Sequence, residues 1–162
     1  MKAAPLFGYF GLIIVAVAGC ATQVKQTQPF NVSDFNSFIS PGTAAITGQA
    51  FFKTPSGHVK LGDGETVELV PATPYTRERY DLALIDRWAG PRDPRLAQFI
   101  RATIADAQGN FSFRDVPSGN YILSCMISWK VQSAAGMMVT SKQVLATTTV
   151  HAGETVKVIV TR

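Results

Sequence analysis

The chain has 162 residues, 46% of them hydrophobic and 16% charged, with a formal net charge of +4. That length makes about one domain, large enough to bury a core without disulfide staples. So small a positive surplus, part of it Lys2 near the start, does not argue for a nucleic-acid partner.

Met1 to Cys20 reads as a leader. Lys2 supplies a minimal positive start, and Leu6 to Ala18 form an apolar run shorter than the roughly 20 residues that span a bilayer. The run ends in Val17-Ala18-Gly19-Cys20, small residues before a cysteine. Residues 20–43 then read as a tether: polar, rich in Gln, Asn and Ser, and low in charge. Phe30, Phe35 and Phe38 interrupt it. A disordered linker has no use for three phenylalanines, so part of this segment is expected to dock on the domain or on a partner. Fully extended, it would reach roughly 75–80 Å.

The domain is predicted over residues 44–162. Its first strand is Ala44 to Lys53. Thr54 to Gly64, carrying Pro55, Gly57, Gly62 and Gly64, reads as a loop. Glu65 to Val70 is the second strand, closed by Pro71, which has no amide hydrogen for a ladder. Between Pro74 and Pro94 the pattern changes to a helix of about three turns. Thr76 is its expected cap, Tyr75 staples against Tyr80, and Tyr80, Leu84, Ile85 and Trp88 make an apolar stripe at helical spacing. Ala89-Gly90-Pro91 is the expected stop. With its stripe buried, such a helix would serve as a lid on one edge or end of a sandwich. Arg77, Arg79, Arg87, Arg92, Arg95 and Arg101 surround it, interleaved with Glu78, Asp81, Asp86 and Asp93. These charges admit two readings: a solvated, salt-bridged face, or a docking patch formed by Arg77, Arg79, Arg87 and Arg92.

Strands resume near Leu96. The stretch from Arg101 to Trp129 organises the rest: three short strands with turns at Asp106–Asn110 and Pro117–Asn120. Phe111 and Phe113 alternate with polar neighbours. Tyr121, Leu123, Cys125, Ile127 and Trp129 then fall on one face. A loop over Gln132 to Gly136 precedes a Thr-rich region to Val150 that Ser141 and Lys142 could divide. After a turn at His151–Glu154, Val156, Val158 and Val160 face inward from the last strand. The total is seven strands. Cys125, in mid-strand, reads as a buried free thiol behaving as a small hydrophobe; no CxxC partner accompanies it.

The segment Asp106 to Leu123, DAQGNFSFRDVPSGNYIL, resembles the signature of carboxypeptidase regulatory-like domains, which are transthyretin-like β-sandwiches. Ile46-Thr47-Gly48, Gly64 to Pro71 and Val150 to Val156 extend the likeness across roughly residues 44 to 161. The resemblance implies an all-β, seven-stranded Greek-key sandwich, here with one short helical insertion, behind a signal peptide (residues 1–19) and a flexible tether. Val17-Ala18-Gly19-Cys20 resembles the lipobox of bacterial lipoproteins, with Val17 in place of the commoner Leu. It implies that Cys20 is acylated after the leader is cut. Ala21, standing where Asp would favour inner-membrane retention, implies the outer membrane, with the domain facing the periplasm. The transthyretin-like fold also includes a hydrolase of 5-hydroxyisourate that ends in Tyr-Arg-Gly-Ser. This chain closes on Val160-Thr161-Arg162 and does not match it.

No catalytic constellation stands out. His58 lies in a Gly/Pro loop near Asp63 and Glu65 without a ligand spacing, and His151 lies in a turn. No cofactor or metal is expected. The expected function is therefore a non-enzymatic, lipid-anchored envelope protein that binds or scaffolds a protein partner. The alternative is a small-ligand or glycan-binding module, with the aromatic tether and the helix lining a pocket. A concave aromatic surface would favour the alternative, and a flat Arg/Tyr patch would favour protein docking.

Overall fold

The structure, a computed structural model, describes residues 24–134 and 136–162. The expected leader and Cys20 lie outside the described residues. Among the described residues, eight strands form two four-stranded sheets that pack face to face, an all-β sandwich with one short α-helix. The strands are β1 (Ala44–Lys53), β2 (Val59–Leu61), β3 (Thr66–Pro71), β4 (Arg101–Ile104), β5 (Asn110–Val116), β6 (Gly119–Ser133), β7 (Gly136–Val150) and β8 (Thr155–Val160); the helix α1 covers Pro74–Leu84. In the first sheet β1 pairs with β2, β5 and β8. The second runs β4-β3-β6-β7. The strand beyond the expected seven is β2, which pairs with the end of β1 inside the segment read as a loop. Pro55 and Gly57 shape the turn before it, and Gly57 takes φ 88°.

The core follows the alternation in the sequence. Along β1 the inward residues are Ala44, Ile46, Gly48 and Ala50, and along β5 they are Phe111, Phe113 and Val116. Small residues on β1 leave room for the rings on β5. At Gly48 an added Cβ would lie 2.1 Å from the Val158 carbonyl oxygen and 2.5 Å from the Phe111 ring, so this position requires glycine. The face of β6 expected to anchor the core does so: Tyr121, Leu123, Cys125 and Ile127 are buried, and Trp129 stacks on Phe52 at 5.4 Å. Each large apolar side chain fully removed from water contributes about 1.5–3 kcal/mol. The first and last strands lie side by side and parallel, Ile46 opposite Val156 and Ala50 opposite Val160. β7 is one undivided strand, with Ser141 and Lys142 in register with Ser128 and Ile127.

A third layer covers the outer face of the second sheet. It comprises residues 24–38, α1, and a 3-10 helix at Pro94–Phe99 where strand had been expected to resume near Leu96. Val70, projecting outward from β3, packs with Tyr75, Leu96 and Phe35 in a second core flanked by Phe30, Phe99 and Ile100. Phe35 is 0% exposed and stacks on Phe99 at 4.5 Å and on Phe30 at 5.0 Å. Backbone amides of Thr27 and Gln28 donate to the Glu78 carboxylate at 2.7–3.0 Å, and Gln26 Nε2 donates to the Tyr75 carbonyl at 2.7 Å. Phe38 closes one end edge-on to Tyr121 at 5.4 Å. From Val24 onward, therefore, the segment read as a tether lies along the sandwich through its three phenylalanines. Its extended reach is not realised over these residues.

The helix differs from expectation at both ends. Its cap is Thr73: Thr76 N–H donates to Thr73 Oγ1 at 3.4 Å, and Thr73 N–H donates to Thr76 Oγ1 at 2.8 Å, a reciprocal box. Pro74 then occupies the first turn, where its missing N–H costs nothing. The helix ends at Leu84, before Gly90. Asp86 turns the chain at φ 55°, while the Arg162 guanidinium caps the Ala83 and Leu84 carbonyls at 3.3 and 2.5 Å. Early termination removes Ile85 and Trp88 from the helical stripe. They are 66% and 53% exposed, and Leu84 is 40% exposed; Tyr75 and Thr76 are the buried residues of α1.

Candidate functional site

Tyr80 and Trp88, left uncovered by the core, border a cleft of about 310 Å³ between α1 and the outer face of the second sheet. Val70, Ile122, Ser124, Met126, Gln143 and Leu145 form its floor. They are the outward residues of β3, β6 and β7, and Ile122 and Ser124 are buried beneath the layer above. Arg79, Tyr80 and Ala83 form the α1 wall, and Arg87, Trp88 and Arg92 come from the loop beyond. The volume suits a small ligand of a few rings.

Arg79 fixes the loop. Its guanidinium donates to the Gly90 carbonyl at 2.8 Å, to the Ala89 and Pro91 carbonyls at 3.4 Å each, and to Gln26 Oε1 at 3.1 Å. Gly90, at φ 78°, provides the left-handed turn that presents those carbonyls together. The other end of the loop is pinned by Asp86, whose carboxylate accepts from Lys142 Nζ at 2.8 Å and Arg162 at 2.9 Å. Hydrogen bonds from Lys142, then from Arg162, hold the Asp86 carboxyl below its ordinary range. Val24 N–H donates to the Trp88 carbonyl at 3.1 Å, tying the N-terminal segment to the same loop. The tryptophan is thus held in place although its side chain is half exposed.

The four arginines read as a docking patch do not form one flat surface. Arg79, Arg87 and Arg92 line the cleft, whereas Arg77 lies apart beside Glu78 and Asp81 and donates to the Ala72 carbonyl at 3.3 Å. Arg92 donates to Glu68 in a two-pronged pair at 2.8 and 3.1 Å, and these hydrogen bonds to the Glu68 carboxylate raise the Arg92 pKa further. Arg87 is exposed, and its guanidinium has no hydrogen-bond or ion-pair partner among the described residues. On the wall, burial and then the Asp81 charge raise the Tyr80 pKa, so its hydroxyl stays protonated and able to donate. Sequence reasoning named these arginines and Tyr80 but missed Ser124, Met126 and Gln143. Their outward alternation on β6 and β7 was visible, but the layer they face was not. His58 and His151 are exposed, each in a turn.

No protein-family model matches the chain, and no curated protein matches it in sequence. Among solved structures, it is similar to a candidate carbohydrate-binding protein from Pseudomonas aeruginosa. The two share 27% sequence identity and a TM-score of 0.73 over 83% of this chain and 99% of the other.

Proposed function

We propose that this protein is a non-enzymatic binding module of the cell envelope, and that the cleft beside α1 holds a saccharide or a small ligand of similar size. The concave aromatic surface carries the reading. Trp88 and Tyr80 line the cleft with aromatic rings, and the positively polarised C–H hydrogens of a sugar suit the negative face of such a ring. Ser124, Gln143 and the Arg87 guanidinium supply the few polar contacts that fix orientation in such sites. The likeness to the Pseudomonas protein supports the same reading. Binding of a protein partner at the arginines is the weaker reading, because Arg79 and Arg92 are engaged within the chain.

The proposal includes a lipid anchor at Cys20 and an outer-membrane location facing the periplasm, argued from Val17-Ala18-Gly19-Cys20. An array of immobilised oligosaccharides probed with the purified chain tests the binding function. We expect a defined set of sugars to bind and Trp88→Ala to abolish the signal while the protein stays folded. Binding that survives Trp88→Ala unchanged would remove the cleft from consideration.

A further inference from the structure

Among the described residues, every charged side chain lining the cleft is an arginine. Arg79, Arg87 and Arg92 contribute to it, while the nearby acids Glu78, Asp81 and Asp86 are absent from the lining. Two of the three cations are occupied. Arg79 is held by the carbonyls of residues 89–91, and Arg92 by Glu68, which also accepts from Ser124 Oγ at 3.4 Å. Arg87 is not. It sits next to the exposed tryptophan, so a planar fork of donors and an aromatic plate stand side by side on one rim. A neutral saccharide gives the uncommitted guanidinium no counter-charge. A carboxylate matches its geometry through two parallel N–H···O bonds.

We propose that the ligand of this cleft is an acidic saccharide, a sugar carrying a carboxylate, with Trp88 stacking on the ring and Arg87 holding the carboxylate. This deepens the glycan-binding reading and rests on it. Arg92 is kept from the same role by its pairing with Glu68, which leaves Arg87 as the discriminating residue.

The test uses a matched pair of probes, hexagalacturonate and its fully methyl-esterified form, which share a backbone and differ in charge. Isothermal titration calorimetry on the purified chain is expected to show a preference of about tenfold or more for the acid form, the scale of one charge-assisted hydrogen bond. Arg87→Gln should bring the two probes to parity without shifting the melting temperature, because Arg87 is exposed and unpaired. Equal binding of both probes to the unaltered chain overturns the inference. So does a preference that persists in Arg87→Gln, or the lack of any acid-form binding at millimolar concentration. Trp88→Ala separates this failure from that of the underlying reading. If it abolishes binding of both probes while they bind the unaltered chain equally, the cleft remains a sugar site and the acidic specificity fails. If neither probe's binding responds to Trp88→Ala, the cleft itself is excluded.

Discussion

Cys125 and Trp88 show how little a residue's type says about its role. Cys125 is 2% exposed on the core face of β6, and burial, then the nearby Glu65 charge, push its thiol up to about 11. At pH 8 both access and ionisation oppose reaction, so maleimide labelling should be slow in the native protein and fast in denaturant. The raised pKa also fixes a sign. As pH rises from the ordinary value of 9.0 toward about 11, the unfolded chain loses its thiol proton first, so stability falls across that window. Cys125→Ser should remove that part of the alkaline loss in denaturant melts taken at several pH values. Trp88 is the converse, a large apolar residue that the core does not use. Trp88→Ala should change stability by no more than about 0.5–1 kcal/mol, as for other exposed positions. A core-like loss would instead place the ring inside the fold.

At the scale of elements, the segment before β1 is the surprise. Phe35 looks like one ring in a polar linker, yet it is fully buried in the second core. Phe35→Ala should therefore cost about 3–5 kcal/mol in urea unfolding, the range for a buried ring. A change within about 0.5 kcal/mol would mean that the segment does not hold to the domain. Its polar clasp is Glu78. Burial pushes the Glu78 carboxyl up, but the amides of Gln28 and Thr27, with the Thr27 hydroxyl, outweigh that and hold it below the usual 4.5. A depressed carboxyl contributes stability above its unfolded pKa and loses it as pH falls through the folded one. Asp86, clamped by Lys142 and Arg162, adds to the same acid-side loss below its usual 3.8. Glu78→Gln and Asp86→Asn should each flatten the fall in melting temperature below about pH 4.5. An unchanged acid limb in both variants would show that these contacts do not form in solution.

For the whole molecule, the docked N-terminal segment changes what a lipid anchor implies. With Val24 bound to the Trp88 carbonyl, only residues 21–23 separate Cys20 from the rim of the cleft. At about 3.3–3.6 Å per residue the separation is at most roughly 15 Å. On the proposed anchor, the cleft would face ligands close to the membrane rather than at the end of a long stalk. Expression with the native leader followed by fractionation tests the anchor. Cys20→Ser should move the protein from the membrane pellet to the soluble fraction with its melting temperature intact, and an unchanged pellet would defeat the proposal.

Alternation, turn chemistry and the succession of β4, β5 and β6 along the chain were legible in the sequence because each depends on neighbours within a few residues. Their pairing was not, since β5 joins β1 in one sheet while β4 and β6 flank β3 in the other. Phe111 and Phe113 take opposite sides from Ser112 and Arg114 wherever the strand pairs, and Gly109 and Pro117 bound β5 on either side by their own backbone geometry. The helix was legible in type but not in its ends. Its stop depends on Arg162, a residue of the far terminus that caps its carbonyls. Burial of the stripe was not legible either. Helical spacing at Leu84, Ile85 and Trp88 says which residues would share a face, not whether the chain remains helical long enough to present one. The parallel pairing of β1 with β8, the three-layer stacking that buries Phe35, and the cleft all bring together segments far apart in sequence. Local pattern determined the strands; long-range packing decided which of their faces stayed open.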